Sequence, residues 1–89
     1  MLGLFANGDI DYEIERNPSE APSLSQMLEA ALSVLKQNRK SNQKNKGFVL
    51  FVENENTDSA GHNNDVASLM RDLWAFDDAV KVALNFQKL

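Results

Sequence analysis

Three side chains that can bind metal ions follow a block of apolar residues in the second half of the chain. Glu53 comes directly after the block GFVLFV, Asp58 lies five residues later, and His62, the only histidine, lies four residues beyond that. Carboxylate and imidazole groups suit zinc or magnesium, and a loop that turned all three toward one point would form a metal site. The alternative is an ordinary polar loop with a solvent-exposed histidine.

The composition limits both the fold and the partners. The chain has 89 residues, no cysteine and a net charge of −4. A chain of this length builds one small core, and without thiolates a metal must be held by oxygen or imidazole ligands. The acidic balance argues against a nucleic-acid partner, and the basic run at 39–46, which has no aromatic residue for base stacking, indicates a solvated connector.

No targeting or membrane segment is predicted. The longest apolar runs fall short of the roughly 20 residues that a membrane span needs, and the N-terminus lacks the basic start of a signal peptide. The residues themselves therefore assign no localisation.

The elements expected to position the three ligands alternate between strand and helix. Leu2–Ala6 is a short apolar run closed by an Asn-Gly turn and is typical of a strand. The proline-containing residues 9–22 predict an irregular loop. Ser23, with Gln26 three residues later, has the spacing of a capping box, which predicts a helix from there to about Asn38.

The second half repeats this order. The continuous apolar run at 48–52 predicts a strand buried on both faces, as in a parallel sheet, with Phe51 in the core. Asn64 or Asp65 can cap a second helix. Its apolar stripe comprises Val66, Leu69, Met70, Leu73, Asp77, Val80 and Leu84, broadened by Trp74 and Phe76. The residues predicted to cover the central strand are Leu28, Leu32 and Leu35 from the first helix and Leu69, Leu73 and Val80 from the second. The prediction is an α/β fold, a β-α-β-α unit with a small parallel sheet.

Five blocks of the sequence are distinctive in their order and spacing. They are LGLFANGDIDYEI, PSLSQMLEAALSVL, GFVLFVE, the loop ending in Gly-His, and the helix containing AFDDAV. Together they resemble the middle of an animal-type alkaline phosphatase. That resemblance implies part of a central sheet with flanking helices, hydrolysis of phosphate monoesters with zinc and magnesium, and a family that is mostly secreted or at the cell surface.

The resemblance also gives roles to the three ligands. Glu53 matches a magnesium ligand, whereas Asp58 and His62 match two ligands of one zinc. The loop departs from the family pattern in five places: Asn54 and Glu55 replace two glycines, Asn56 replaces arginine, Thr57 replaces isoleucine and Ser59 replaces histidine. Because glycines allow backbone angles that side chains obstruct, the path of the loop is expected to differ.

Two functions are consistent with these residues and with the resemblance. The first is a segment of an alkaline-phosphatase-like hydrolase, inactive alone because the resemblance places the nucleophile and the second zinc site in other segments. The second is a non-catalytic α/β scaffold or interaction module with a decayed metal loop. Residues 1–89 would accordingly be an excised segment of a larger domain or a single small domain. The expected partners are the rest of a phosphatase domain or a second copy at exposed sheet edges, with weak or absent zinc and magnesium binding.

Overall fold

Three helices make up the regular structure of the chain. The computed structural model describes residues 1–41 and 47–88, without the side chains of 39–41; residues 42–46, which carry much of the predicted basic connector, lie outside the described part. The helices are α1, Leu24–Ser41, α2, Asn56–His62, and α3, Val66–Gln87. None of the helices in the described part is both long and apolar enough to span a membrane.

The predicted β-α-β-α order and its small parallel sheet are wrong, because residues 1–41 and 47–88 contain no strand. Residues 2–6 and 48–52 are both irregular, and no backbone hydrogen bond within the described part joins either run to another segment. A strand forms only when its backbone N–H and C=O groups pair with a neighbour, and these two runs do not pair with each other. Phe51, predicted to lie in the core, is 93% exposed.

The start of α1 confirms the predicted capping box. The backbone N–H of Gln26 donates to the Ser23 hydroxyl at 3.2 Å, and the backbone N–H of Ser23 donates to the Gln26 side-chain oxygen at 2.8 Å. These reciprocal bonds satisfy donors that the first turn of a helix leaves unpaired. The helix continues past the predicted end near Asn38 to Ser41.

A helix that the sequence did not predict occupies the polar stretch between the second apolar run and α3. The backbone N–H groups of Asp58 and Ser59 donate to the Glu55 carbonyl at 2.9 and 3.2 Å. The Thr57 hydroxyl donates to the Asn54 carbonyl at 3.0 Å. This pattern starts α2, so residues that were predicted to lie in a polar loop have helical spacing instead.

A tight turn joins α2 to α3. Asn64 has φ 55°, a left-handed conformation that asparagine tolerates better than most residues. The backbone N–H of Asp65 then donates to the Ala60 carbonyl at 2.9 Å, and its carboxylate accepts from the Ser68 backbone N–H and hydroxyl at 3.1 and 2.6 Å. Asp65 is therefore the cap of α3, one of the two candidates from the sequence.

The core is small and lies between α1 and α3. Leu28 and Leu32 are buried against Ala79, with Leu24, Phe48, Val82 and Phe86 packed around them. The Phe48 and Phe86 rings lie 6.2 Å apart between centroids at 58°. Leu28 and Leu32 are therefore buried, but against Ala79 of α3 and not against the predicted strand, and Leu35 is only half-buried.

The face that α3 presents to the core differs from the prediction. Its buried residues are Ser68, Asp72 and Ala79, which are small or polar. Leu73 and Val80, predicted to cover the central strand, are exposed. With no sheet to receive it in the described part, the large apolar stripe of α3 faces outward.

Candidate metal-binding site

Helix α2 brings two of the three predicted ligands together. Asp58 and His62 lie four residues apart, so their side chains share one face of the helix. The Asp58 Oδ2 and His62 Nε2 atoms are 3.4 Å apart, and the two side chains are 79% and 80% exposed. The buried Ala60 between them points to the other side and anchors the helix. The pair is therefore fixed in spacing by the helix but open to solvent.

This spacing suits two positions of a tetrahedral zinc shell. Zinc–nitrogen and zinc–oxygen bonds of about 2.0–2.2 Å place neighbouring tetrahedral ligand atoms roughly 3.3 Å apart. The observed separation of 3.4 Å matches this value. Zinc sites need three or four protein ligands, however, and the described residues contain no group of three or more carboxylate or imidazole side chains that could hold a metal. The residues present fit part of a zinc site.

Glu53 lies elsewhere. It lines a cavity of about 230 Å³ between the loop at 9–16, the start of α1 and the middle of α3, and neither Asp58 nor His62 borders that cavity. The other carboxylates of the lining are Asp9, Asp11, Glu13, Glu55 and Asp72, with Arg16 as the basic residue among them. The structure thus separates the residue matched to magnesium from the two matched to zinc.

The charged side chains of Arg16 and Glu13 in this cavity are hydrogen-bonded to each other. Arg16 donates from Nε and Nη2 to the two carboxylate oxygens of Glu13, both at 2.8 Å, and from Nη1 to the Ala21 carbonyl at 3.1 Å. The Glu13 carboxylate raises the pKa of Arg16 above its usual value. Together with the bond to Ala21, this pair ties the loop at 12–16 to the segment that precedes α1, so it has a structural role.

Asp72 is the buried carboxylate of the cavity. Only 5% of the residue is exposed, and burial raises the pKa of its carboxyl above the usual value. Hydrogen bonds from the Glu13 backbone N–H, at 3.2 Å, and from the Asn56 side chain oppose that rise in pKa. Asp72 therefore links the loop at 9–16, α2 and α3.

Two of the residues at which the segment 54–59 departs from the resembled family hold that segment in place. The Asn54 side-chain amide donates to the Asp72 carbonyl at 2.9 Å. The Asn56 amide donates to the carbonyls of Ile10 and Asp11 at 3.2 and 3.1 Å. A glycine at position 54 could not make the first bond, since it has no side chain. The altered loop is thus tied down by the substituted residues themselves.

Sequence reasoning did not identify Asp72, Asn54 or Asn56. A signal for Asp72 was available, because it lies on the side of α3 opposite the apolar stripe, and alanines follow on that same side at 75 and 79. Nothing local marks the two asparagines, because their acceptors lie 18 and about 45 residues away in sequence.

Comparisons with known proteins agree with one another. The family model described as alkaline phosphatase matches residues 1–89. A repressible alkaline phosphatase from Saccharomyces cerevisiae is 44% identical over 86 residues, which are 97% of this chain. Alkaline phosphatase 4 from Drosophila melanogaster is 40% identical over 85 residues, and alkaline phosphatase 4 from Bacillus subtilis is 39% identical over 88, covering 96% and 99% of the chain. No solved structure matches the chain significantly.

The chain spans a small part of these relatives. It covers 15% of the yeast protein, 13% of the fly protein and 18% of the bacterial protein. The matches extend over nearly all of the chain, so each relative contains a segment similar to it, together with several times as many other residues.

Proposed function

Because the chain belongs to the alkaline phosphatase family, we propose that it supplies one segment of a metal-dependent phosphate monoester hydrolase, the segment that carries part of the zinc site. The observation that carries this proposal is the Asp58–His62 pair, whose 3.4 Å separation suits two zinc ligands. Residues 1–89 would then be part of a larger alkaline-phosphatase-like domain.

Asp58 and His62 would hold the zinc ion together with ligands from outside the chain. The family generally uses zinc and magnesium. A zinc ion bound here would supply Lewis-acid stabilisation to an oxygen of the phosphate group. The contribution of α2 is to hold the two ligands at fixed spacing, which reduces the entropy that binding must overcome.

Glu53 would serve a separate magnesium ion. Magnesium prefers carboxylate and water oxygens in octahedral geometry, which differs from the tetrahedral mixed shell of zinc. The placement of Glu53 on the acidic cavity, away from the α2 pair, supports the assignment of the two ligand types to two ions.

The chain alone is proposed to be inactive toward phosphate monoesters. Ser59 carries the hydroxyl nearest in sequence to His62. None of the hydrogen bonds in the described part joins the Ser59 and His62 side chains, so His62 does not activate Ser59 as a nucleophile. Without an activated nucleophile, a partial metal site has no route to covalent catalysis.

A second candidate function is a non-catalytic scaffold with a remodelled loop. The observation that favours it is the pair of asparagines at 54 and 56, whose side-chain amides form hydrogen bonds that fix the loop. The glycines and arginine of the resembled family would not stabilise this conformation in the same way. In this alternative the Asp58–His62 pair is only a contact between two exposed side chains.

A chimeric enzyme separates the two functions. The matched segment of the yeast relative is replaced by this chain, and hydrolysis of p-nitrophenyl phosphate is measured at alkaline pH with zinc and magnesium present. We expect metal-dependent turnover that Asp58→Ala and His62→Ala each reduce strongly. The matched control is Asp78→Ala, which removes an ion pair with Lys81 on α3 outside the site.

The outcomes differ clearly. A chimera that folds, shown by circular dichroism and a cooperative melt, but has no turnover would favour the scaffold. Turnover that is unaffected by Asp58→Ala and His62→Ala would reject the proposed ligand roles.

A further inference from the structure

An exposed bend near the start of the chain contains the pair Asn7-Gly8, and Asn7 is the only asparagine that a glycine follows. The chain bends at residues 7–9, and each of residues 1–9 is exposed. Within residues 1–41 and 47–88, no hydrogen bond involves any of residues 1–9. The Asn7 side chain and the Gly8 backbone N–H are therefore both solvated, with no protein partner in the described part.

This arrangement allows the backbone to attack the side chain. The Gly8 nitrogen loses its proton and bonds to Cγ of Asn7, and the side-chain amide leaves as ammonia, which gives a cyclic succinimide. Water then adds to one of the two ring carbonyl groups and breaks its bond to nitrogen. Cleavage at Cγ leaves aspartate, whereas cleavage at the backbone carbonyl leaves isoaspartate, in which the main chain runs through the former side chain. Asparagine is accordingly among the thermally labile residue types.

Gly8 presents little obstruction to this ring closure. Glycine has no side chain and adopts more backbone conformations than other residues, so its nitrogen reaches Cγ of Asn7 readily. The surroundings are open as well, because a Cβ built on Gly8 would meet no heavy atom within 4 Å. A hydrogen-bonded N–H must first break its bond, at a cost in free energy, before it loses its proton. The Gly8 N–H has no such bond to break in the described part.

Asparagines near the candidate metal site are held by hydrogen bonds instead. The nitrogens that would attack Asn63 and Asn64 belong to Asn64 and Asp65, and their N–H groups donate to carbonyls of α2 at 3.1 and 2.9 Å. The side-chain amides of Asn54 and Asn56 donate to backbone carbonyls at 2.9–3.2 Å. Ring closure at these positions requires local opening of the structure, whereas ring closure in the exposed bend does not.

We propose that Asn7-Gly8 is a spontaneous modification site, at which Asn7 loses ammonia to form a succinimide and is hydrolysed to isoaspartate and aspartate. Water is the only other reactant. Each event adds one negative charge to a chain whose net charge is −4. Isoaspartate also lengthens the main chain by one methylene group. Because residues 1–9 make no hydrogen bond in the described part, the modified chain keeps its helices. The proposal does not depend on the metal site.

The experiment ages the full chain in warm, mildly alkaline buffer and maps its peptides by mass spectrometry at intervals. Isoaspartate is quantified by labelling with a protein isoaspartyl methyltransferase. We expect Asn7 to be converted well ahead of Asn63 and Asn64, with isoaspartate in the product. Gly8→Ala should slow the conversion about tenfold, because its methyl group obstructs ring closure. This control is mild, since the added Cβ meets no atom within 4 Å and Gly8 does not have a positive φ.

Two further measurements test the route and its consequence. The attacking nitrogen must lose its proton, so conversion at Asn7 should be faster at pH 8 than at pH 5. The aged chain is separated from the parent by anion exchange, which resolves the added negative charge. Its helix content and urea midpoint should equal those of the parent. Asn7→Asp supplies the aspartate product directly and should elute with that fraction.

Conversion at Asn7 that is no faster than conversion at Asn63 and Asn64 would overturn the proposal. Equal rates in the parent and in Gly8→Ala would overturn it as well, and so would a product that contains aspartate but no isoaspartate, because only the succinimide gives both. The comparison among asparagines is made within the parent chain, so it decides the proposal even if the Gly8→Ala variant fails to fold.

Discussion

The packing of the chain makes opposite predictions for two large apolar side chains. Leu32 is 7% exposed and lies in the core, whereas Phe51 is 93% exposed. Leucine-to-alanine substitutions in a core cost about 2–5 kcal/mol, part of it from the cavity that remains. A ring that buries only a few per cent of roughly 200 Å² loses about 0.4 kcal/mol at ~25 cal/mol per Å². We expect Leu32→Ala to be strongly destabilising and Phe51→Ala to be nearly neutral.

Urea unfolding followed by circular dichroism at 222 nm measures the difference. A small domain is stabilised by only about 5–10 kcal/mol and unfolds with a slope near 1 kcal/mol per molar urea, so Leu32→Ala should lower the midpoint by about 2 M or more. Phe51→Ala should change it by under about 0.5 M. The sequence pattern predicts the reverse for Phe51, a loss of roughly 3–5 kcal/mol from a buried strand. Equal losses for the two variants would refute the helical packing.

Three further predictions concern charged groups. Because burial raises the pKa of Asp72, its ionisation lowers the free energy of unfolding as the pH rises through the pKa of the folded state. Asp72→Asn should therefore be more stable than the parent at pH 7, and the difference in stability should disappear below the ordinary pKa of 3.8. Because hydrogen bonds from Ser68 lower the pKa of Asp65, its contribution is present above pH 3.8 and lost in acid, so Asp65→Ala should lower the urea midpoint at pH 7 but hardly at pH 2. The isolated chain should bind zinc no more tightly than about 0.1 mM, or about −5.5 kcal/mol, by calorimetry near pH 7.5; micromolar one-to-one binding abolished by Asp58→Ala and His62→Ala would mean a complete site.

The features predicted correctly from sequence are local or depend on the family resemblance. The capping box at Ser23 and the cap at Asp65 involve hydrogen bonds that span three residues, so the sequence alone contains both partners. The resemblance to alkaline phosphatases depends on ordered blocks of residues and is confirmed by the family match over the whole chain.

Helix α2 could not be predicted from its own residues. A string of polar residues after an apolar run favours a loop, and no capping residue in the sequence predicts a helix that starts at Asn56. In the structure, Glu55 makes no side-chain cap hydrogen bond. The helix is supported by tertiary contacts instead, through Ala60 buried at its centre and Asn56 bonded to the distant carbonyls of Ile10 and Asp11. The distance between Asp58 and His62 follows from that helix.

What the sequence by itself determined is the family, the beginnings of α1 and α3, and which residue types could bind a metal. Tertiary structure decided that the runs at 2–6 and 48–52 form no sheet, that α3 turns Ala79 inward and Leu73 outward, and that Asp72 is buried. The physical reason is the range of the interactions. A cap forms hydrogen bonds with neighbours in the chain. A strand instead needs a pairing partner, and an apolar stripe needs a surface to pack against. The residues of the strand or of the stripe do not identify that partner.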